Sequence, residues 1–180
     1  MHFIALLTAM SFCICVAGCA TTLPIQSSVK SGYTLERVKV VSISTTCPSP
    51  KLDNVEPSFT TEYCPMLGST VRLAIKSKFP SWQIRETDTD AQIEVILEEL
   101  YGGSAQARFW VGFGAGKTAT TVYVRVKQNG TVIAEGRLIE TSTMPNVNTG
   151  NWSNESLLTQ DAPLISRKVA SFIANPEEFK

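Results

Sequence analysis

Apolar positions along this 180-residue chain follow three patterns: one long charge-free run, several period-two alternations, and two recurrences at three and four residues. The long run is Phe3–Val16, mostly apolar and without a charged residue. From Ala20 to about Gly32 the chain is small and polar, with Thr21, Thr22, Ser27, Ser28 and Ser31, and reads as a flexible tether reaching roughly 20 Å. Val38, Val40, Val41 and Ile43 then predict a first strand, partly buried on both faces where Val40 and Val41 are adjacent. Leu67, Val71, Ala74, Ile75 and Phe79 form one stripe of a helix. Pro65 suits its first position, Lys76 and Lys78 suit its last turn, and Pro80 stops it.

Trp82 and Ile84 alternate with Gln83 and Arg85 in a short second strand, and Thr87–Asp90 reads as a turn. Ala91, Ile93, Val95 and Leu97 share one face of the next strand, with Gln92, Glu94 and Glu98 on the other. Val122, Val124 and Val126 mark a strand over about Thr118–Lys127, and Val132, Ala134, Gly136 and Leu138 mark its partner. Keeping both apolar faces together fixes the register. A two-residue Asn129-Gly130 turn would set Val124 opposite Glu135. A three-residue loop with Gly130 left-handed is therefore expected, pairing Lys127 with Thr131, Val126 with Val132 and Val124 with Ala134. That register also places Tyr123 beside Glu135.

Thr143–Trp152 is a polar loop. The final helix carries Leu158, Ile165, Val169, Phe172 and Ile173, and Pro163 requires it to start near Asp161 or to kink. The resulting fold class is α+β, a mostly antiparallel sheet of about five strands with two helices packed on one face.

Composition adds an address. Val16-Ala17-Gly18-Cys19 ends the apolar run with small residues before a cysteine, as peptidase cleavage and lipid attachment require. The stretch resembles the lipobox of bacterial lipoproteins, although His2 is the only polar residue before the core and a positive n-region is missing. Residues 1–18 are the expected signal peptide, 19–32 the lipidated tether, and 33–180 a single periplasmic domain. Cys19 is the lipidation site, anchored by acyl chains worth about 0.8 kcal/mol per buried methylene. Ala20 in place of aspartate favours the outer membrane.

The one histidine, His2, leaves with the signal, so the mature chain holds none. Serine–histidine and cysteine–histidine catalysis and histidine-ligated metals are excluded with it. Sixteen basic residues balance sixteen acidic ones, which leaves no electrostatic footprint for nucleic acid. Of five cysteines, Cys13 and Cys15 are removed and Cys19 is acylated. Cys47 and Cys64 remain as a structural disulfide, since they lack the Cys-x-x-Cys spacing of a redox pair and two cysteines make a poor metal site.

Chemistry concentrates, if anywhere, between Gly102 and Thr118. Gly116-Lys117-Thr118 looks like a phosphate loop, but Val111 stands where the first glycine belongs and a strand follows, so no nucleotide is expected. Arg108, Phe109, Trp110, Phe113 and Lys117 are of the types that protein interfaces enrich, and they are the candidate partner-binding residues; the alternative is that the aromatic rings serve the core. Glu94 and Glu98 would be the acid–base pair of an enzyme, yet their alternation reads as a solvated face.

The order Asp90-Ala91-x-Ile93-x-Val95-x-Leu97, a glycine break, Arg108, Gly112-Phe113-Gly114-Ala115-Gly116-Lys117, a valine-rich strand and a hairpin is similar to the bacterial lipoprotein family with domain of unknown function 4410. The resemblance covers roughly Tyr33–Ala174. It implies a lipoprotein of the envelope and supplies no catalytic residues. The expected function is non-catalytic: an outer-membrane-anchored domain that binds another envelope component, with no cofactor and no metal. A periplasmic carrier of an apolar ligand is the alternative, and a histidine-free hydrolase a further one.

Overall fold

The computed structural model describes residues 27–104, 117–142 and 153–179. Cys19, the signal segment, and Arg108, Phe109, Trp110 and Phe113 lie outside the described residues. In chain order the elements are β1 Ser27–Val29, β2 Val40–Thr46, β3 Lys51–Asp53, α1 Phe59–Lys78, β4 Gln83–Ile84, β5 Ala91–Tyr101, β6 Thr118–Gln128, β7 Thr131–Ser142 and α2 Asn154–Ala174, followed by a 3-10 turn Pro176–Phe179.

The fold is α+β, with two helices and a mixed sheet of seven strands in the order β1-β7-β6-β5-β2-β4, and β3 also on β5. The sheet is less antiparallel than the alternation predicts. β1–β7, β7–β6 and β6–β5 are antiparallel, whereas β5–β2, β2–β4 and β3–β5 are parallel. Parallel neighbours need a crossover of a dozen or more residues, and α1 supplies it between β2 and β5. The two additional strands, β1 and β3, are each three residues long and carry no alternation of their own. Ser27–Val29, read from sequence as the end of the tether, is thus an edge strand against Ala134–Gly136.

Both helices cover one sheet face. Val41, Ile43, Ile93, Val95, Leu97, Val122, Val124, Val126 and Leu138 meet Tyr63, Leu67, Val71 and Ile75 of α1 and Leu158, Ile165, Val169 and Phe172 of α2 in one core. Each such fully buried aliphatic or Phe side chain contributes about 1.5–3 kcal/mol. Gly136 lets α2 close onto β7, because a Cβ there would lie 2.9 Å from the Phe172 ring.

Three local expectations are corrected. Pro65 does not open α1; six helical residues precede it, and Cys64 is helical too. The Phe59 and Tyr63 rings meet at a tilt one turn apart, centroids 5.5 Å, and Tyr63 is fully buried, so tertiary burial outweighs the missing hydrogen bond at Pro65. Of the two alternatives for α2, a start near Asp161 is the one overturned: the helix starts at Asn154, capped by the Ser153 hydroxyl accepting from the Ser156 amide at 3.1 Å, and Pro163 lies inside it. Burial of Leu157 and Leu158 pulls those turns onto the sheet.

The third correction is the hairpin. Its loop is the two-residue Asn129-Gly130, both at positive φ (52° and 73°), as a type I′ turn requires. The register instead shifts between Val126 and Lys127, where Ile133 is the extra residue of a bulge. Val126 then pairs with Ala134, Val124 with Gly136 and Val122 with Leu138. The apolar faces stay together, as burial demands, but through a bulge in the strand rather than a longer loop. A second bulge, at Glu98 of β5, lets both Leu97 and Leu100 face inward.

Candidate functional site

The glycine-rich segment joins β5 to β6, and because Tyr101 pairs with Ala119 its two roots lie side by side. At the first root, Gly102 donates its amide to Asp53 O at 2.7 Å, and Asn154 Nδ2 donates to Asn54 O at 2.6 Å. A Cβ on Gly102 would stand 2.3 Å from Asn54 O and 2.7 Å from Asn154 Nδ2, so only glycine fits. The disulfide Cys47–Cys64 brackets the stretch that carries Asn54, and thereby fixes one wall of this end. The sequence reading anticipated that disulfide.

At the second root Lys117 is exposed and Thr118 is buried. Of the candidate partner-binding residues, Lys117 alone is described, and it stands at this end of the sheet. Beneath it lies a polar seam that the sequence reading missed. Thr118 Oγ1 donates to Asp161 Oδ2 at 2.9 Å, and Asp161 has no solvent-exposed surface. Among the described residues, its other oxygen, Oδ1, has no hydrogen-bond partner. Burial raises the Asp161 carboxyl to about 6, opposed chiefly by the hydrogen bond from Thr118 and assisted by the Glu140 charge. One turn of strand further, Thr120 Oγ1 and Tyr63 OH are 3.0 Å apart, both buried. Between the helices, Ser166 Oγ lies 2.8 Å from Thr70 Oγ1. Asp161 was detectable: it stands three residues after Leu158 and four before Ile165, on the apolar stripe itself.

Glu94 and Glu98 lie on the open sheet face, each engaged by its own cations. Lys127 Nζ is 2.5 Å and Arg125 3.4 Å from Glu94, and Arg137 Nε is 2.5 Å from Glu98. Arg125 continues to Glu135 at 3.3 Å, so Glu94, Arg125 and Glu135 form a ladder across β5, β6 and β7. Tyr123 donates to Glu135 at 2.5 Å, a contact reached diagonally across the strands rather than directly. That hydroxyl and the Arg125 guanidinium hold the Glu135 carboxyl below its ordinary value. Partly exposed pairs of this kind contribute about 0–1 kcal/mol each.

At the other end of the helix pair, Tyr33, Leu35, Phe79, Trp82 and Ile173 line an open groove of about 440 Å³. The Phe79 and Trp82 rings stack in it at 4.0 Å. Among the described residues no helix is long and apolar enough to cross a membrane.

No family model matches the chain, and no curated protein matches it. Solved structures do. A leucine-to-methionine variant of the PelC dodecamer from Paraburkholderia phytofirmans superposes with a TM-score of 0.51 at 14% identity, over 83% of this chain and 97% of that one. PelC itself, also a dodecamer, gives 0.51 at 15% identity over 82% and 96%. A Xanthomonas campestris protein of the domain of unknown function 330 family gives 0.46 at 9% identity over 78% and 87%. The likeness is one of fold.

Proposed function

We infer that this chain is a lipoprotein, anchored through acylated Cys19 on the periplasmic face of the outer membrane, whose domain binds another envelope component and catalyses nothing. The observation that carries the reading is Val16-Ala17-Gly18-Cys19 closing the charge-free run Phe3–Val16. The loss of His2 with the signal supports the non-catalytic part, because the mature chain then has no imidazole to serve as a base. Placement in the family with domain of unknown function 4410 rests on Asp90–Leu97, Arg108 and the Gly112–Lys117 block.

The partner surface is the end of the sheet where Lys117 stands, with Arg108, Phe109, Trp110 and Phe113 on the segment that leaves from it. PelC crystallises as a dodecamer, so further copies of this chain belong among the partners to be tested. A second reading, carriage of a small apolar ligand, is favoured by the Phe79–Trp82 stack in the open groove.

Metabolic palmitate labelling tests the anchor: label enters the wild-type chain and is lost in Cys19→Ala. Cross-linking in intact cells followed by purification tests the surface. Replacing Phe109, Trp110 and Phe113 by alanine abolishes the cross-linked species and leaves the melting temperature in place. An unlabelled wild-type chain, or substrate turnover by the purified domain, contradicts the reading.

A further inference from the structure

Asp161 sits where three elements meet, and its position in α2 is unusual. The residue two places on, Pro163, has no amide hydrogen, so the helical hydrogen bond to the Thr159 carbonyl is missing. The first turns of α2, Asn154–Ala162, are therefore joined to the remainder by a weakened turn. These turns reach the sheet through Leu157 and Leu158, through Asp161 on Thr118, and through Asn154 on Asn54 O. A buried carboxylate with one oxygen unpartnered prefers water. Lifting the first turns about Pro163 would give it water.

We propose that Asn154–Ala162 is a proton-operated flap, held closed when Asp161 carries a proton and opening more readily when it is ionised. The groups facing Asp161 are Thr118 of β6, Ser142 and Glu140 of β7, and Tyr63 of α1. Glu140 is itself paired with Lys168 of α2 at 2.9 Å. None of these supplies a cation directly to Asp161, and the Glu140 charge opposes its ionisation.

The sign follows from linkage. Opened to water, Asp161 releases its proton near the ordinary value of 3.8; closed, it holds the proton up to about 6. Between those values the closed form binds a proton that the open form does not. Closure is thus strongest below about pH 4, weakens as pH rises, and levels off above about 6. The whole window corresponds to roughly a 100-fold change in the opening equilibrium. Opening would also release Asn154 from the root of the glycine-rich segment. That consequence for partner binding rests on the function proposed above; the flap does not.

Hydrogen–deuterium exchange on the full chain, expressed as protection factors between pH 4 and 7, tests it. Protection of the Asn154–Ala162 amides falls about 100-fold over that range in the wild type. It stays flat in Asp161→Asn, while the amides of β6 and β7 change alike in both proteins. Should Asp161→Asn not fold, Thr118→Val removes the hydroxyl that favours the charged form and shifts the transition to higher pH. Equal pH slopes in wild type and Asp161→Asn, a uniform change across helix and sheet, or an unmoved transition in Thr118→Val overturns the flap. Exchange reads the flap without any partner, so loss of cross-linking in the preceding experiment leaves this result standing.

Discussion

Removing the Cys47–Cys64 bridge should lower the melting temperature by about 10 °C. Cys47 directly follows β2, and Cys64 lies in the second turn of α1, with 17 residues of sequence separation between them. Reopening a loop of that size returns about 3 kcal/mol of chain entropy to the unfolded state. A domain of roughly 150 residues shifts by about 2–4 °C per kcal/mol, which gives the stated drop. The other contacts of the bracketed stretch are short pairings and partly buried side chains: Leu52, Val55 and Phe59 pack at the core's margin, and Asp53 O and Asn54 O accept from Gly102 and Asn154. β3 pairs with β5 over three residues, and the Lys51–Glu99 ion pair is largely exposed on its lysine side. The assay is thermal unfolding followed by circular dichroism on wild type and on the double variant Cys47→Ala/Cys64→Ala, each with and without reductant. The wild type in reductant should melt with the double variant, and the double variant should ignore reductant. A double variant melting within about 2 °C of oxidised wild type would falsify the reasoning. It would mean that β3 and Asn54 hold the loop by themselves.

Gly136→Ala places a methyl against the Phe172 ring and the Ser27 side chain, and should cost about 1–3 kcal/mol by chemical denaturation, with β1 and α2 both loosened in hydrogen exchange. Tyr63→Phe leaves the buried Thr120 hydroxyl without its partner and should cost about 1–3 kcal/mol, read from the same denaturation curves. Arg137→Ala, by contrast, removes a partly exposed ion pair with Glu98 and should change stability by less than about 1 kcal/mol. A larger loss there would show that the outer sheet face is covered in solution.

Much of the fold was legible in local pattern. Ala91, Ile93, Val95 and Leu97 alternate without interruption, and all four are buried in β5. Leu67, Val71 and Ile75 recur at four residues and line α1. The errors fell where long-range contacts outweigh local preference. Pro65 is a good helix starter in isolation, but Tyr63 buried against Thr120 carries the helix backwards past it. The hairpin requirement, apolar faces together, was read correctly, and its solution was not. A bulge at Ile133 and a longer loop both restore the alternation, and only neighbouring strands decide between them. Three-residue strands such as β1 and β3 leave no periodicity to find. At the candidate site, the glycines and Lys117 stand out in the sequence, whereas Asp161 does not, because Pro163 leaves open whether the helix starts near Asp161 or kinks there.

The sequence by itself determined the charge-free run before Cys19, the absence of histidine after it, the cysteine pair, and which face of the long strands and helices turns inward, except at Val132, which the bulge moves opposite Lys127. These depend on covalent identity or on periods of a few residues. Tertiary structure alone decided the parallel placement of β2 against β5, the bulges, the closeness of Gly102 to Asn154, and the burial of Asp161 beneath the roots of the glycine-rich segment. Apart from the bulge at Ile133, which lies within a hairpin, these join residues tens of positions apart. The free energy that settles them comes from packing and desolvation between surfaces that no local pattern records.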